Sequence, residues 1–516
     1  MKMKTPWPGR GQFSGVLLWL LALAAGLSPR LEAAKFNHAS LGPIEIYTSD
    51  GSENTKRLLC ELLEARRQIA ELVAPVPLPN PRMQIVIFSK SKDYEEFLPD
   101  KTVLQSGRTT VAYFTSSDYG LVVSTVMEND FGYDFGRDTL VFYYASYLLQ
   151  SAVPDAPLWV KAGLPEFFAS TSCRGNKLYV GGDFMEHRTK MHDAKKLMPL
   201  EKLMDDAQME PYFGVARHDN DFYHESWGLW QQWLANPDPH RRAQVNRLFT
   251  AIRAGRKGDF ATVVESFGET ADAIEAAHRA PKTARGFSPL MANADAASLV
   301  PGLVFAPATD LERRFAQAML VSASGKGPGA LGYELYRLGE ANPTSARPAE
   351  ALAVLAMGEK DYPAAAVRWE KARELGTDNL YAYLLPAQQA LASRSLYLSL
   401  QPQLAETLCG PWREYLARCT ALDPACADAH YYRVLLEAFA EKPDQAGVDA
   451  ADRSQALAVR PMGYLYLAIA RWRLGQTAEA HRLLANLREY SRLAGDWRAK
   501  ISALDSLMRR MEAKKE

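Results

Sequence analysis

The side chains of this chain that are able to do chemistry gather in a few places. Glu186, His187, His192 and Asp193 form one group, and His218, Asp219, Asp221 and His224 form another. Imidazoles and carboxylates grouped in this way are the donor set of a metal-assisted hydrolase. Spacing argues against both groups as helical sites. His187 and His192 are five residues apart, about 140° out of line on a helix, so only a loop would bring them onto one ion. His224 is followed by Glu225, but the residue four beyond it is Gly228, so the HExxH spacing is missing there. Scattered surface His and Asp residues are the plain alternative. A third place is Arg137 to Ser170, RDTLVFYYASYLLQSAVPDAPLWVKAGLPEFFAS, which carries Tyr143, Tyr144, Tyr147 and Glu166. The tyrosines either line a ligand pocket or fill core, and Glu166 is either a residual catalytic carboxylate or a structural partner for a base or a backbone amide.

The elements that must position this third group are a helix pair. Asp138 or Thr139 is the expected N-cap of the first helix, because a short side-chain oxygen satisfies the orphan amides there. Leu140 to Leu149 is apolar or aromatic on nearly every side, which predicts a core helix. Pro154 and Pro157 end it, and Trp159 to Phe168 resumes helical spacing through Gly163 and Pro165.

This layout resembles the active-site helix pair of gluzincin-type zinc metallopeptidases. In particular it resembles the metallopeptidase-like domain that precedes tetratricopeptide repeats in secreted bacterial proteins. The family pattern is HExxH with an aromatic-rich tail, then W-x-N-E-G-x-A-E. Tyr144, Tyr147, Leu148 and Leu149 match the tail, and Trp159, Gly163, Leu164, Glu166 and Phe168 match the second helix. The metal chemistry does not carry over. Phe142 stands where the first His ligand belongs, Tyr143 replaces the general-base Glu, Ser146 the second His, and Ala162 the carboxylate ligand. Phenyl and methyl groups offer no lone pair to zinc, and without a metal-bound water a base has nothing to deprotonate. The resemblance therefore implies a vestigial site at Phe142, Tyr143, Ser146, Ala162 and Glu166, with no metal and no cofactor. Tyr223 falls where related peptidases place a transition-state Tyr, and without metal it reads as core.

Outside the helix pair, Ile44 to Thr48, Met83 to Phe88, Thr109 to Phe114 and Leu121 to Val126 read as strands. Glu53 to Val73, Asp93 to Phe97, Phe222 to Leu234, Gln244 to Ile252 and Phe260 to Phe267 read as helices. Segments 280–309 are rich in Pro, Gly, Ala and Ser, and 286–309 is expected to be a linker. From about Asp310 helix pairs recur at intervals of 30–45 residues, the signature of repeat architectures. Tyr362, Ala365, Trp369 and Ala372, then Cys419 to Pro424, then Tyr464, Leu467, Ala468, Gly475 and Ala480 resemble tetratricopeptide positions. The expected fold is an α+β zincin-like domain over 35–285, followed by an all-α tetratricopeptide-like solenoid over 310–510.

Sixty Lys+Arg balance sixty Asp+Glu, so charge gives no reason to expect nucleic acid or an acidic membrane as partner. Lys2, Lys4 and Arg10 precede the apolar run Val16 to Leu27, and Leu31 to Ala34 offers a small-residue cleavage site, so 1–34 reads as an export signal. The expected location is periplasmic or extracellular, with membrane contact only through that signal. The five cysteines contain no C-x-x-C. Cys409, Cys419 and Cys426 leave one disulfide open against free buried thiols. Together these features lead to an exported, non-catalytic interaction protein that binds a protein or peptide through its repeats. Arg433 and Arg471 are expected to be exposed contact positions on the concave side. The alternative is a hydrolase whose metal site has moved to His187/His192 or His218/His224.

Overall fold

The computed structural model describes residues 36–514 other than 96–111, 118–119, 128–133, 175–176, 183–196, 214–219, 236–237, 281–288, 293–299, 301–302, 325–326, 328, 393–399, 456–460 and 490–494. The export signal expected at 1–34 lies outside the described residues, as do Glu186, His187, His192, Asp193, His218 and Asp219.

The strands are β1 (Asn37–Leu41), β2 (Ile44–Thr48), β3 (Met83–Phe88), β4 (Ala112–Ser117), β5 (Gly120–Val126), β6 (Ser172–Arg174), β7 (Lys177–Val180), β8 (Leu290–Ala292) and β9 (Ala306–Pro307). The longer helices begin with α1 (Ser52–Val73), α2 (Asp134–Ala152), α3 (Leu158–Ala169), α4 (Asp221–Leu234), α5 (Pro239–Arg253), α6 (Phe260–Phe267) and α7 (Ala271–Arg279). They continue with α8 (Asp310–Ser324), α9 (Leu331–Ala341), α10 (Arg347–Gly358), α11 (Tyr362–Glu374), α12 (Tyr381–Ala392) and α13 (Glu406–Leu422). The remainder are α14 (Ala427–Phe439), α15 (Gln445–Gln455), α16 (Pro461–Arg473), α17 (Thr477–Glu489) and α18 (Gly495–Glu512). The chain thus has a small mixed sheet near its N-terminal end and a helical C-terminal region, and it divides into two compact units.

The first unit comprises Met1–Gly51, Arg82–Tyr133 and Leu303–Ala382. Its six-stranded sheet runs β4-β5-β3-β2-β1-β9. β2 to β3 and β3 to β5 are parallel, while β1, β4 and β9 add on antiparallel. Every residue of β2, β3 and β5 is buried; MQIVIF is legible as the near-continuous apolar run of a strand buried on both faces, and IEIYT by its alternation. β1 was not legible, because NHASL lacks alternation. It forms because Gly42, at φ 58°, turns the chain straight back onto β2. The expected linker also corrects. Leu290–Ala292 pairs with β7, and Ala306–Pro307 pairs with β1, so two short pieces of 286–309 are ladder strands.

Against one face of this sheet lies α8, which packs on α9 and α10, and α10 packs on α11. Ala365, Trp369 and Ala372 of α11 are buried, so the small–large–small spacing does the packing that the sequence suggests, while Tyr362 is exposed. Glu45 on β2 receives hydrogen bonds from Arg82 (2.9 Å), Arg347 (2.7 Å) and the Tyr47 hydroxyl (2.9 Å). Arg82 also pairs with Glu350 at 3.2 Å, and both guanidiniums lie over the Phe315 ring, at 5.6 and 5.1 Å from its centroid. Burial pushes the Glu45 carboxyl up, but the two guanidiniums outweigh it and hold its pKa at about 2.

The second unit comprises Ser52–Pro81, Asp134–Gly302 and Tyr383–Glu516, so it contains chain from both sides of 286–309. α1 packs on α2 and α5, α2 on α3, and α3 on α4. From α13 onward each helix packs on its successor in the chain, and α14 also packs on α16. The Asn80 amide donates to the Asp423 carboxylate at 3.1 Å, which ties the loop after α1 to the turn before α14. All five cysteines are buried, and none of them is in a disulfide. Among the described residues no helix is long and apolar enough to cross a membrane.

Candidate functional site

The helix pair forms as the sequence suggests, with one shift. α2 begins at Asp134, a turn before the expected cap. Asp138 is therefore inside the helix and buried, and its carboxylate meets Arg137 at 3.1 Å; Arg137 in turn reaches Glu61 of α1 at 3.3 Å. An ion pair toward α1 has taken the side chain that capping would have used. Pro157 stands at the N-cap of α3 with extended backbone, and the Leu158 amide finds its acceptor in Asp206 at 2.8 Å. α3 then runs through Gly163 and Pro165 unbroken.

Gly163 marks a close approach of α3 to α4. A Cβ there would sit 2.4 Å from the carbonyl carbon and oxygen of Ser226, so no other residue lets the two backbones meet. Below this crossing is an aromatic core. Trp159 stacks on Trp230 with centroids 5.3 Å apart, meets Trp233 edge-on at 5.8 Å, and donates its indole N–H to the Gly258 carbonyl at 2.9 Å. Trp230 continues to Phe249 of α5 and Trp233 to Phe267 of α6. Trp159, the first residue of the family-like second-helix motif, is thus the joint of four helices.

The positions in question lie on two different kinds of surface. Phe142 and Ser146 are half-buried and Tyr143 is 43% exposed, so they share the open side of α2. Ala162 and Glu166 of α3 are fully buried. The Phe142 ring packs against Tyr223 of α4 at 6.5 Å between centroids and meets Tyr143 edge-on at 5.5 Å. Tyr223 is itself backed by Phe213, nearly parallel at 6.3 Å, and by Phe222. The Ser146 hydroxyl donates to the Phe142 carbonyl at 2.8 Å, within its own helix. Where the resemblance would look for a donor, there is a ring beside Tyr223 and a hydroxyl bonded to its own helix.

The three tyrosines diverge. Tyr144 is buried, and burial raises its phenol despite the nearby Arg66. Tyr147 is half-buried, and burial raises it too, with Cys426 and Asp423 adding to the effect. Only Tyr143 faces outward. His224 is fully buried within α4, and Asp221 is exposed at its start, so these two members of the second candidate group point to different surroundings. Among the described residues no group of three His, Cys, Asp or Glu is placed to hold a metal ion.

Residues that sequence reasoning passed over matter to this region. Glu225 of α4 accepts from the Met198 amide at 2.8 Å and faces buried His278 of α7 at 3.9 Å. Glu225 had read only as half of an incomplete HExxH. Arg433 and Arg471, expected as exposed contacts, are both pinned. Arg433 holds Glu437 at 2.9 Å and Asp444 at 2.5 Å, and Arg471 is 9% exposed with Asp449 and Asp452 each at 2.7 Å. Their partners lie on the next turn and in the loop after α14 for Arg433, and on the preceding helix α15 for Arg471, where a helical wheel of one segment cannot see them. Comparison with known proteins returns neither a matching family model nor a matching curated sequence.

Proposed function

We propose that this chain is an exported, non-catalytic interaction protein. In this reading α2 and α3 are a metallopeptidase-like helix pair without metal chemistry, and the helix pairs beyond residue 310 are tetratricopeptide-like and bind a protein or peptide. The observation that carries it is the packing at Phe142. Its ring contacts Tyr223 and the Ser146 hydroxyl is spent on the Phe142 carbonyl, so the open side of α2 presents aromatic surface instead of ligands. The packing of each helix from α13 to α17 on its successor supports this reading, because such binders are built from successive packed helix pairs.

Elemental analysis of protein purified without chelator tests the first half. The expected zinc content is far below one per chain, and about one zinc surviving dialysis overturns it. Capture of partners tests the second half, with point variants in place of a deletion, because removing 310–382 would take α8 to α11 out of the sheet-bearing unit. Tyr432 and Tyr464 are half-exposed on α14 and α16. Tyr432→Asp and Tyr464→Asp are expected to weaken capture while circular dichroism stays unchanged; unchanged capture would move the binding surface elsewhere.

A further inference from the structure

A cleft of about 1070 Å³ opens between the stretch Glu201–Ala207 and the N-terminal half of α6, where the first residue of α7 also lines it. Part of its lining is apolar: Met204, which is buried, and half-buried Phe260 and Val264, one turn apart on α6. Around this lie five carboxylates, those of Glu201, Asp205, Asp206, Asp259 and Glu265. Among the described lining residues Lys257 is the one base. Glu265 is matched by Arg256, at 2.5 and 3.2 Å.

The aspartates are held by neutral donors, which fix a carboxylate without cancelling its charge. Asp205 accepts from the Ala207 amide at 3.0 Å and the Gln208 side chain at 2.7 Å. Asp206 accepts from the Leu158 amide, and Asp259 caps α6 through the Thr262 amide and hydroxyl, at 3.0 and 2.8 Å. The N-terminus of α6 offsets about half a charge at Asp259, a small part of the four carboxylates that Arg256 leaves unmatched. The loop before Asp259 is fixed as well, because the Gly258 carbonyl takes the Trp159 indole at 2.9 Å. The walls are therefore set before a ligand arrives, which lowers the cost of ordering them.

Charge and shape together narrow the occupant. Among the described residues no three acids converge on one point, so the carboxylates are spread along the cleft and do not form an ion site. A neutral apolar ligand would cover Phe260 and Val264 but leave the acids without counter-charge. A single basic side chain would leave most of the space empty, since about 300–1,000 Å³ already holds a whole small ligand. We propose that this cleft binds an extended segment of a partner protein in which arginine or lysine alternates with apolar side chains. Alternation puts cations toward the carboxylates and apolar groups toward Met204, Phe260 and Val264, because successive side chains of an extended chain point to opposite sides. The site goes beyond the binding role given above to the helix pairs after residue 310 and shares no residue with it. Capture through the repeats is read by variants on α14 and α16, binding here by variants in the cleft, so either can fail alone.

Fluorescence anisotropy with the full chain and a labelled hexapeptide alternating leucine and arginine tests this. One peptide per chain is expected, weakened by added salt, while the leucine–glutamate counterpart stays unbound. Spermine, a polycation without apolar groups, should compete at least about tenfold less well than the unlabelled peptide. The triple variant Glu201→Gln, Asp205→Asn, Asp259→Asn keeps both helix caps, because Asn caps as well as Asp. It is expected to bind the peptide about tenfold more weakly, from three exposed charge pairs. Should it fold poorly, Val264→Lys serves instead, with a loss of the same order from a cation placed in the cleft wall. No binding up to ~1 mM peptide would overturn the proposal. So would equal binding by a folded cleft variant, equal binding of the glutamate peptide, or competition by spermine as good as the peptide's own.

Discussion

In the sheet-bearing unit Glu45 enters the interior in company: two guanidiniums, a phenol, and behind them Glu350 on Arg82. In the α2–α4 bundle of the other unit, the positions that the zinc-peptidase resemblance singles out hold a phenyl ring, a phenol facing solvent, a hydroxyl bonded to its own helix, and a methyl group. Both regions bury carboxylates, Glu45 in the one and Asp138, Glu166 and Glu225 in the other, but in the first two guanidiniums converge on a single carboxylate. The difference follows from partners. A buried charge is tolerated where its whole set of counter-charges is present, and removing one member is far costlier than never having had the set.

The largest effect should therefore come from breaking the set in the first region. Glu45→Ala leaves Arg82 and Arg347 facing each other over the Phe315 ring and is expected to cost about 3–5 kcal/mol, read as a lower urea midpoint. The same group predicts an acid limit. Its carboxyl is depressed from 4.5 to about 2 in the folded chain, so its stabilisation is fully present above the unfolded value and is lost as pH falls toward 2. Glu45→Gln should flatten that acid limb. If wild type and Glu45→Gln unfold in parallel as the pH is lowered, the network carries no such weight.

The strands and helices of both regions were largely legible, because burial writes itself into local sequence. MQIVIF is a short apolar run, IEIYT alternates, and FATVVESF carries its Asp259 cap and a closing Gly268. The aromatic side of the candidate site was legible for the same reason, from Phe142 to Trp230. The ionic side was not. Arg347 reaches Glu45 across 302 residues of chain, and no periodicity within one segment records a partner that distant. The same blindness explains Arg433 and Arg471, whose positions on a helical wheel looked solvent-facing while their guanidiniums turn to Asp444, Asp449 and Asp452. Glu61 is a further case. It reads as a polar residue in an amphipathic helix, yet it is fully buried and accepts from the Cys173 amide at 2.8 Å.

Next in size is the helical C-terminal end of the second unit, where Arg471 repeats the Glu45 logic with the charges exchanged. Arg471→Ala strips two carboxylates of α15 of their bidentate partner and is expected to cost about 2–3 kcal/mol, whereas Arg471→Lys should recover only part of it, because an ammonium cannot span both acids. An Ala variant as stable as wild type would show that α15 is held by its apolar face alone. Gly163→Ala should follow, at about 1–3 kcal/mol, since its methyl group meets the Ser226 backbone and must push α4 away from α3. A near-ultraviolet spectrum reports this directly, because the displacement separates Trp159 from Trp230. An unperturbed tryptophan signal would mean that the helix crossing is looser than the backbone contact implies.

The smallest effect is expected at Tyr143, and it divides the two regions most sharply. Its ring touches Phe142 edge-on, but the side chain is 43% exposed and on the open side of α2. Tyr143→Ser should leave stability within about 0.5 kcal/mol, as surface substitutions usually do. Phe142→Ser, one residue away, removes the ring that packs on Tyr223 and should cost several times more. A paired thermal-melt measurement therefore reads the direction in which this helix faces. Equal losses at both positions would place Tyr143 in the core and close the open side of α2. A loss at Tyr143 alone would reverse the assignment of filling ring and exposed ring, and with it the register on which the metallopeptidase resemblance rests.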